Sequence, residues 1–88
     1  MKIIFSRSHV PPAAIPLADL PLGGRAVVVA IDAPPALVRR LEALGFLPET
    51  LVSCRRHAPL GDPRVYELRG TQLCLRRSEA ARIRVEPR

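Results

Sequence analysis

The sequence predicts a mainly β domain, a small closed barrel of about five short antiparallel strands with one short inserted helix. Three observations carry this. Apolar runs of strand length recur along the chain with turn residues between them. Helical spacing of apolar residues occupies only one substantial stretch, after the first long strand. Aromatic residues make up 3% of the chain and hydrophobic residues 48%, so the core must be aliphatic. At 88 residues the chain is one domain, close to the size below which a single core needs staples.

The elements follow in order. "PPAAIPLADLPLGG" (residues 11–24) has too many prolines for a helix and reads as an extended lead-in with a turn at Gly23-Gly24. "RAVVVAID" (25–32) is a continuous β-branched run, expected to be buried on both faces. "PPALVRRLEALGF" switches to helical spacing: Leu37, Leu41 and Leu44 form one stripe, with Arg39, Arg40 and Glu42 away from it. Pro34 and Pro35 suit a first turn, and Gly45 suits the left-handed residue after the last, with Phe46 folding back onto Leu41. Pro48 takes the second position of a turn over 47–50. Glutamate at Glu49 disfavours positive φ, so that turn is expected to be type I. Strands over 50–58, 64–69 and 72–77 come next, separated by "PLGDP" and by a tight turn at Gly70-Thr71. A single helical turn capped by Ser78 then leads to a last strand over 82–86. The domain is expected to span 15–87, with 1–14 an N-terminal extension.

Composition narrows the function classes. Net charge is +6, and every cation but Lys2 is arginine. Arginine offers a planar fork to phosphate or carboxylate, although a GC-rich coding sequence gives the same bias. Acidic residues are interspersed, and the Arg39-Arg40, Arg55-Arg56 and Arg76-Arg77 pairs lack flanking aromatics for base stacking, so nucleic acid is not the expected partner. No phosphate loop, nucleophile elbow or paired carboxylates occur, so no enzyme is expected. The N-terminal apolar run is too short for a signal core or a membrane span, which points to the cytoplasm.

Cys54 and Cys74 stand far apart in sequence and on strand faces of opposite parity, which argues against a disulfide and against shared metal ligation. Cys54 and His57 have the spacing of a C-x-x-H pair. A regular strand, however, turns residues three apart to opposite faces, so His57 is expected to be solvated or satisfied, not a ligand. His9 lies in the N-terminal extension with no partner. No metal or cofactor site is expected from the residues.

The stretches "LADLPLGGRAVVVAI", "LVRRLEALGFLPET" and "HAPLGDPRVYELRGTQLCLRRSEAARIRV" together resemble the FeoA family, in order and spacing. The resemblance covers about 15–85. It implies an SH3-like β-barrel and a small cytosolic accessory or regulatory component of bacterial ferrous iron uptake. The implied partner is the cytosolic part of a FeoB-type membrane iron transporter, which would hold the chain at the inner face of the membrane. Weak binding of Fe2+ or another divalent transition metal is implied by the family alone, and self-association is left open. The alternative function is a basic anion- or nucleic-acid-binding module tied to iron-dependent regulation. One departure is visible: Glu49 follows Pro48 where the family often has glycine.

The docking residues expected for a transporter are Leu60, Gly61, Asp62, Arg39, Arg40 and Phe46. Leu60 is the sharpest. In "APLGDP" the turn chemistry is supplied by Gly61, Asp62 and the flanking prolines, so the leucine adds nothing to the turn. It must either fold over an open barrel end or stand out as an anchor.

Overall fold

The β-branched run forms the longest strand of the molecule, and every other strand but three pairs with it. The computed structural model describes residues 2–3 and 12–88; His9 falls outside them. In chain order the elements are β1 (Lys2–Ile3), β2 (Ile15–Pro16), a 3-10 turn (Leu17–Asp19), β3 (Arg25–Ala33), α1 (Pro35–Ala43), β4 (Leu51–His57), β5 (Arg64–Leu68), β6 (Thr71–Leu75), α2 (Arg77–Ala80) and β7 (Ile83–Pro87). All pairings are antiparallel, in the order β2-β7-β3-β4-β5-β6, with β1 added at the far end of β3.

The fold class holds, with one correction: the sheet is not closed. β2 and β6 are its two edges and do not pair with each other. The sheet curls far enough for the buried Tyr66 hydroxyl on β5 to donate to Leu17 O, at 3.4 Å, in the turn that follows β2. The lead-in is thus more than a lead-in, since Leu17 and Leu20 are core residues. The core is aliphatic apart from Phe46 and Tyr66. On β3, Ala26, Val28, Ala30 and Ile31 are buried while Val27 and Val29 are half-buried. A register shift between Val28 and Ala30 changes the facing, so the strand has one core face and not two.

Helix α1 buries Val38 and Leu41, with Leu37 at the margin and Leu44 exposed. Leu41 and Leu37 of the predicted stripe therefore face the core, Val38 joins them, and Leu44 does not because the helix ends at Ala43 and Leu44 already caps it. Gly45 has φ +111°, and a Cβ there would lie 2.9 Å from Leu68 Cδ1, so only glycine fits. Phe46 N donates to Leu41 O at 3.1 Å, and both side chains are fully buried.

The following turn is type II, not type I. Thr50 N donates to Leu47 O at 3.2 Å, and Glu49 has φ +67°. Hydrogen bonds from Glu49 N to Val28 O (2.8 Å) and from Val28 N to Thr50 O (3.0 Å) hold it against β3. At about 1 kcal/mol net each, they offset the roughly 1–2 kcal/mol a side chain costs in the left-handed region. The β5–β6 turn is Arg69-Gly70, both at positive φ, one residue earlier than expected. Ser78 lies inside α2 and does not cap it. The Arg76 N–H instead donates to Glu79 Oε1 (3.0 Å) and the Arg77 N–H to Asp62 Oδ1 (2.9 Å). Among the described residues, no helix is long and apolar enough to cross a membrane.

Candidate functional site

The β4–β5 hairpin carries both the exposed leucine and the only histidine among the described residues, and its geometry starts from a bulge. Cys54 pairs with Tyr66 and Arg56 with Val65, which leaves Arg55 as the extra residue. The bulge resets the alternation, so Cys54 and His57 share a face after all. Cys54 Sγ lies 3.1 Å from His57 Nε2. This overturns the parity argument that separated them, and the cause is the bulge that a regular strand lacks.

Arg64, opposite His57 in the register, donates from a terminal guanidinium nitrogen to the same Nε2 at 3.0 Å. A guanidinium has only donors, so Nε2 accepts and the ring is neutral with its proton on Nδ1. Burial and then the positive charges of Arg64 and Arg77 push the His57 pKa down. Burial pushes the Cys54 thiol up, opposed by Arg64. Tyr66, buried beside Cys54, is pushed up to about 12, chiefly by burial. Arg64 is itself 8% exposed and pairs with no carboxylate among the described residues.

This cluster resembles a nucleophile–base pair, but the thiol is fully buried and its raised pKa keeps it protonated, which makes it inert. Nor does the donor set fit a metal ion. Among the described residues only two ligand-type atoms converge, and a buried guanidinium stands against one of them. The cluster's structural effect is to tie the two strands at the base of the next loop.

That loop, residues 58–63, is fixed at several points. Ala58 N donates to Pro63 O (3.0 Å) and Gly61 N to Ala58 O (2.7 Å), with Gly61 at φ +83°. The Asp62 carboxylate, expected to cap its own turn, reaches across to the first N–H of α2 instead. On this frame Leu60 is 94% exposed. It does not fold over an end of the sheet.

Of the other expected docking residues, Arg39 and Arg40 are exposed on α1, and Arg40 pairs with Glu79. Arg40 and Asp62 come together in a groove of about 350 Å3 whose walls also include Pro63, Cys74, Arg76 and Glu79. Phe46 is a correction: fully buried in the core, it offers no surface to a partner. Cys74, Arg76 and Glu79 were missed, because only the fold brings their strand end beside the loop. The Cys54–His57 contact had a signal in the sequence. Two successive arginines, Arg55 and Arg56, interrupt the alternation, and both are exposed. A larger groove, about 520 Å3, lies over Arg25, Leu51 and Glu67 and holds none of the expected docking residues.

Comparison with known proteins places this arrangement. The FeoA domain model matches residues 15–87. A solution structure of FeoA protein from Chlorobium tepidum is 40% identical and superposes with a TM-score of 0.78, covering 83% of this chain and 70% of that one. FeoA from Stenotrophomonas maltophilia, crystallised in complex with zinc and named a prokaryotic SH3 domain protein, is 36% identical with a TM-score of 0.71, over 80% of this chain and 87% of that one. A Porphyromonas gingivalis fusion of Fe(2+) transport protein A with the Fe(2+) transporter FeoB is 33% identical over 70 residues, which are 80% of this chain but 8% of that protein. With an SH3-like fold and a family match that spans residues 15–87, this chain is a member of the FeoA family, which is linked to ferrous iron transport.

Proposed function

We propose that this chain is a cytosolic regulatory adaptor that docks on the cytosolic part of a FeoB-type ferrous iron transporter, using the Leu60 loop as its anchor. The observation that carries the reading is the exposure of Leu60, 94%, on a loop that backbone hydrogen bonds from Ala58 N to Pro63 O and from Gly61 N to Ala58 O close without it. An exposed leucine on a rigid frame with a charged rim is a common recognition design. The rim here is Asp62, Arg40 and Arg76. The fused relative supports the choice of partner, since a shared chain holds two domains at high effective concentration. Through that partner the chain would sit at the inner face of the membrane, with no catalytic role of its own.

The competing reading, an anion- or nucleic-acid-binding module, rests on arginines such as Arg56 and Arg69 that have no ion-pair partner among the described residues. Salt separates the two. Docking through an apolar anchor should hold between 50 and 200 mM salt, whereas binding through several phosphates should weaken by roughly 1,000-fold or more. The direct test is the affinity of the purified chain for the transporter's cytosolic domain, with and without guanine nucleotide. No binding in either state refutes the adaptor reading.

A further inference from the structure

The two edges of the sheet are built differently. β2 is two residues long and ends in Pro16, which blunts it against pairing. β6, Thr71–Leu75, is five residues long, pairs with β5 in unbroken register, and contains no proline, glycine, lysine or bulge. Among the described residues none of the usual devices protects it.

The register shows what this edge offers. The two-residue turn closes on Leu68↔Thr71, so that pair, Tyr66↔Leu73 and Arg64↔Leu75 spend their backbone groups within the hairpin. The N–H and C=O groups of Gln72 and Cys74 therefore point away from β5, and no other described backbone group bonds to them. Both residues are exposed.

Charge decides what fits. The carboxylates near the edge are already engaged: Glu67 with Arg55, Glu79 with Arg40 and the Arg76 N–H, and Asp62 with the Arg77 N–H. Arg69 at one end of β6 and Arg76 and Arg77 at the other have no ion-pair partner among the described residues. A second copy is a poor occupant. Antiparallel self-pairing centred on Leu73 would set Arg77 opposite Arg69 of the other copy, between chains that each carry +6.

We infer that the free edge of β6 accepts an extended segment of the partner as an added strand, with acidic residues near both ends to meet Arg69 and Arg76–Arg77. The inference rests on the docking function proposed above. It adds backbone pairing to the Leu60 anchor as a second mode of recognition. The two modes are adjacent, because the Asp62–Arg77 hydrogen bond holds the Leu60 loop against the end of β6. The groove beside Cys74 and Arg76 would receive a side chain of the added strand.

Amide hydrogen exchange tests this, read by NMR on the full chain with the transporter's cytosolic domain as the probe. On binding, exchange at the Gln72 and Cys74 amides should slow by about tenfold or more, the scale of one added hydrogen bond, while Leu73 and Leu75, already paired, stay as they were. Cys74→Pro removes an outward N–H without touching the β5 pairing and should bind about tenfold more weakly than Cys74→Ser, which changes the same side chain but keeps the N–H. Binding with Gln72 and Cys74 exchanging at their free rates overturns the added strand and leaves the docking function standing. Failure of the parent to bind removes both. Protection of these amides that appears without the partner and grows with protein concentration would assign the edge to a second copy and overturn the inference.

Discussion

The connection from β3 to β4 and the connection from β4 to β5 each centre on a leucine, and the two leucines are used in opposite ways. Leu41 has no exposed surface and Leu60 is 94% exposed. Around Leu41 the chain supplies apolar neighbours: Val38 on the same helix, and Phe46 returned onto it by Gly45. Around Leu60 it supplies turn chemistry, with Gly61 at positive φ and backbone bonds that close the loop on itself. The first connection needs its leucine in order to fold. The second is shaped without one, and that contrast is what the proposed docking role of Leu60 rests on.

Removing Leu41 should therefore have the largest effect. Leu41→Ala takes a fully buried side chain from between α1 and the sheet and should cost about 2–5 kcal/mol of stability. For a domain this small that is a large part of the total. Thermal and denaturant unfolding would measure it. A variant that melts within a degree or two of the parent would erase the contrast between the connections.

The same connection contains a residue that opposes its own fold. Glu49 is exposed and sits at φ +67°. Glu49→Gly should stabilise by about 0.5–1 kcal/mol, the left-handed penalty less the entropy glycine brings to the unfolded chain. A loss of stability instead would mean that the Glu49 side chain contributes something its exposure hides.

These two positions show how far the sequence could be read. The Leu41–Phe46 contact followed from local spacing and from glycine, both of which act within a few residues. The Glu49 turn did not, because the hydrogen bonds that force it come from Val28, far away in sequence. The candidate site divides the same way. Gly61 at positive φ was legible because turn chemistry is local, whereas the reach of Asp62 to the Arg77 N–H was not. Cys74, Arg76 and Glu79 were not, because only the hairpin and α2 bring them to that groove. Phe46 was expected both to fold back onto Leu41 and to serve as a docking residue, and full burial leaves only the first. The open sheet was also out of reach, since its last edge is a matter of curvature.

A smaller effect should come from the base of the Leu60 loop. His57 is neutral in the fold, with its pKa held below the ordinary 6.5 by burial, Arg64 and Arg77. The sign follows from linkage. The unfolded ring takes up a proton near pH 6.5 and the folded ring only below that, so the stability from the neutral ring is complete above about pH 6.5 and is lost as pH falls beneath it. Solvent screening keeps the effect small at a half-exposed ring. The parent should lose more of its melting temperature than His57→Gln between pH 7.5 and 5. Parallel slopes would mean that the Arg64 contact does not hold the ring neutral.

The smallest effect on folding, and the most informative, is expected at Leu60 itself. With 94% of its surface in water, the side chain contributes almost nothing to the folded state, so Leu60→Ser should melt with the parent. Its contribution should appear on docking. Burying a leucine against a partner stabilises a complex by about 1.5–3 kcal/mol, so the serine variant should bind the transporter's cytosolic domain roughly ten- to a hundredfold more weakly. Loss of binding at unchanged melting temperature is what the contrast with Leu41 requires, where the same residue type should give loss of stability. A Leu60→Ser protein that melts well below the parent yet still binds would make Leu60 a packing residue, and the loop would lose its place as the anchor.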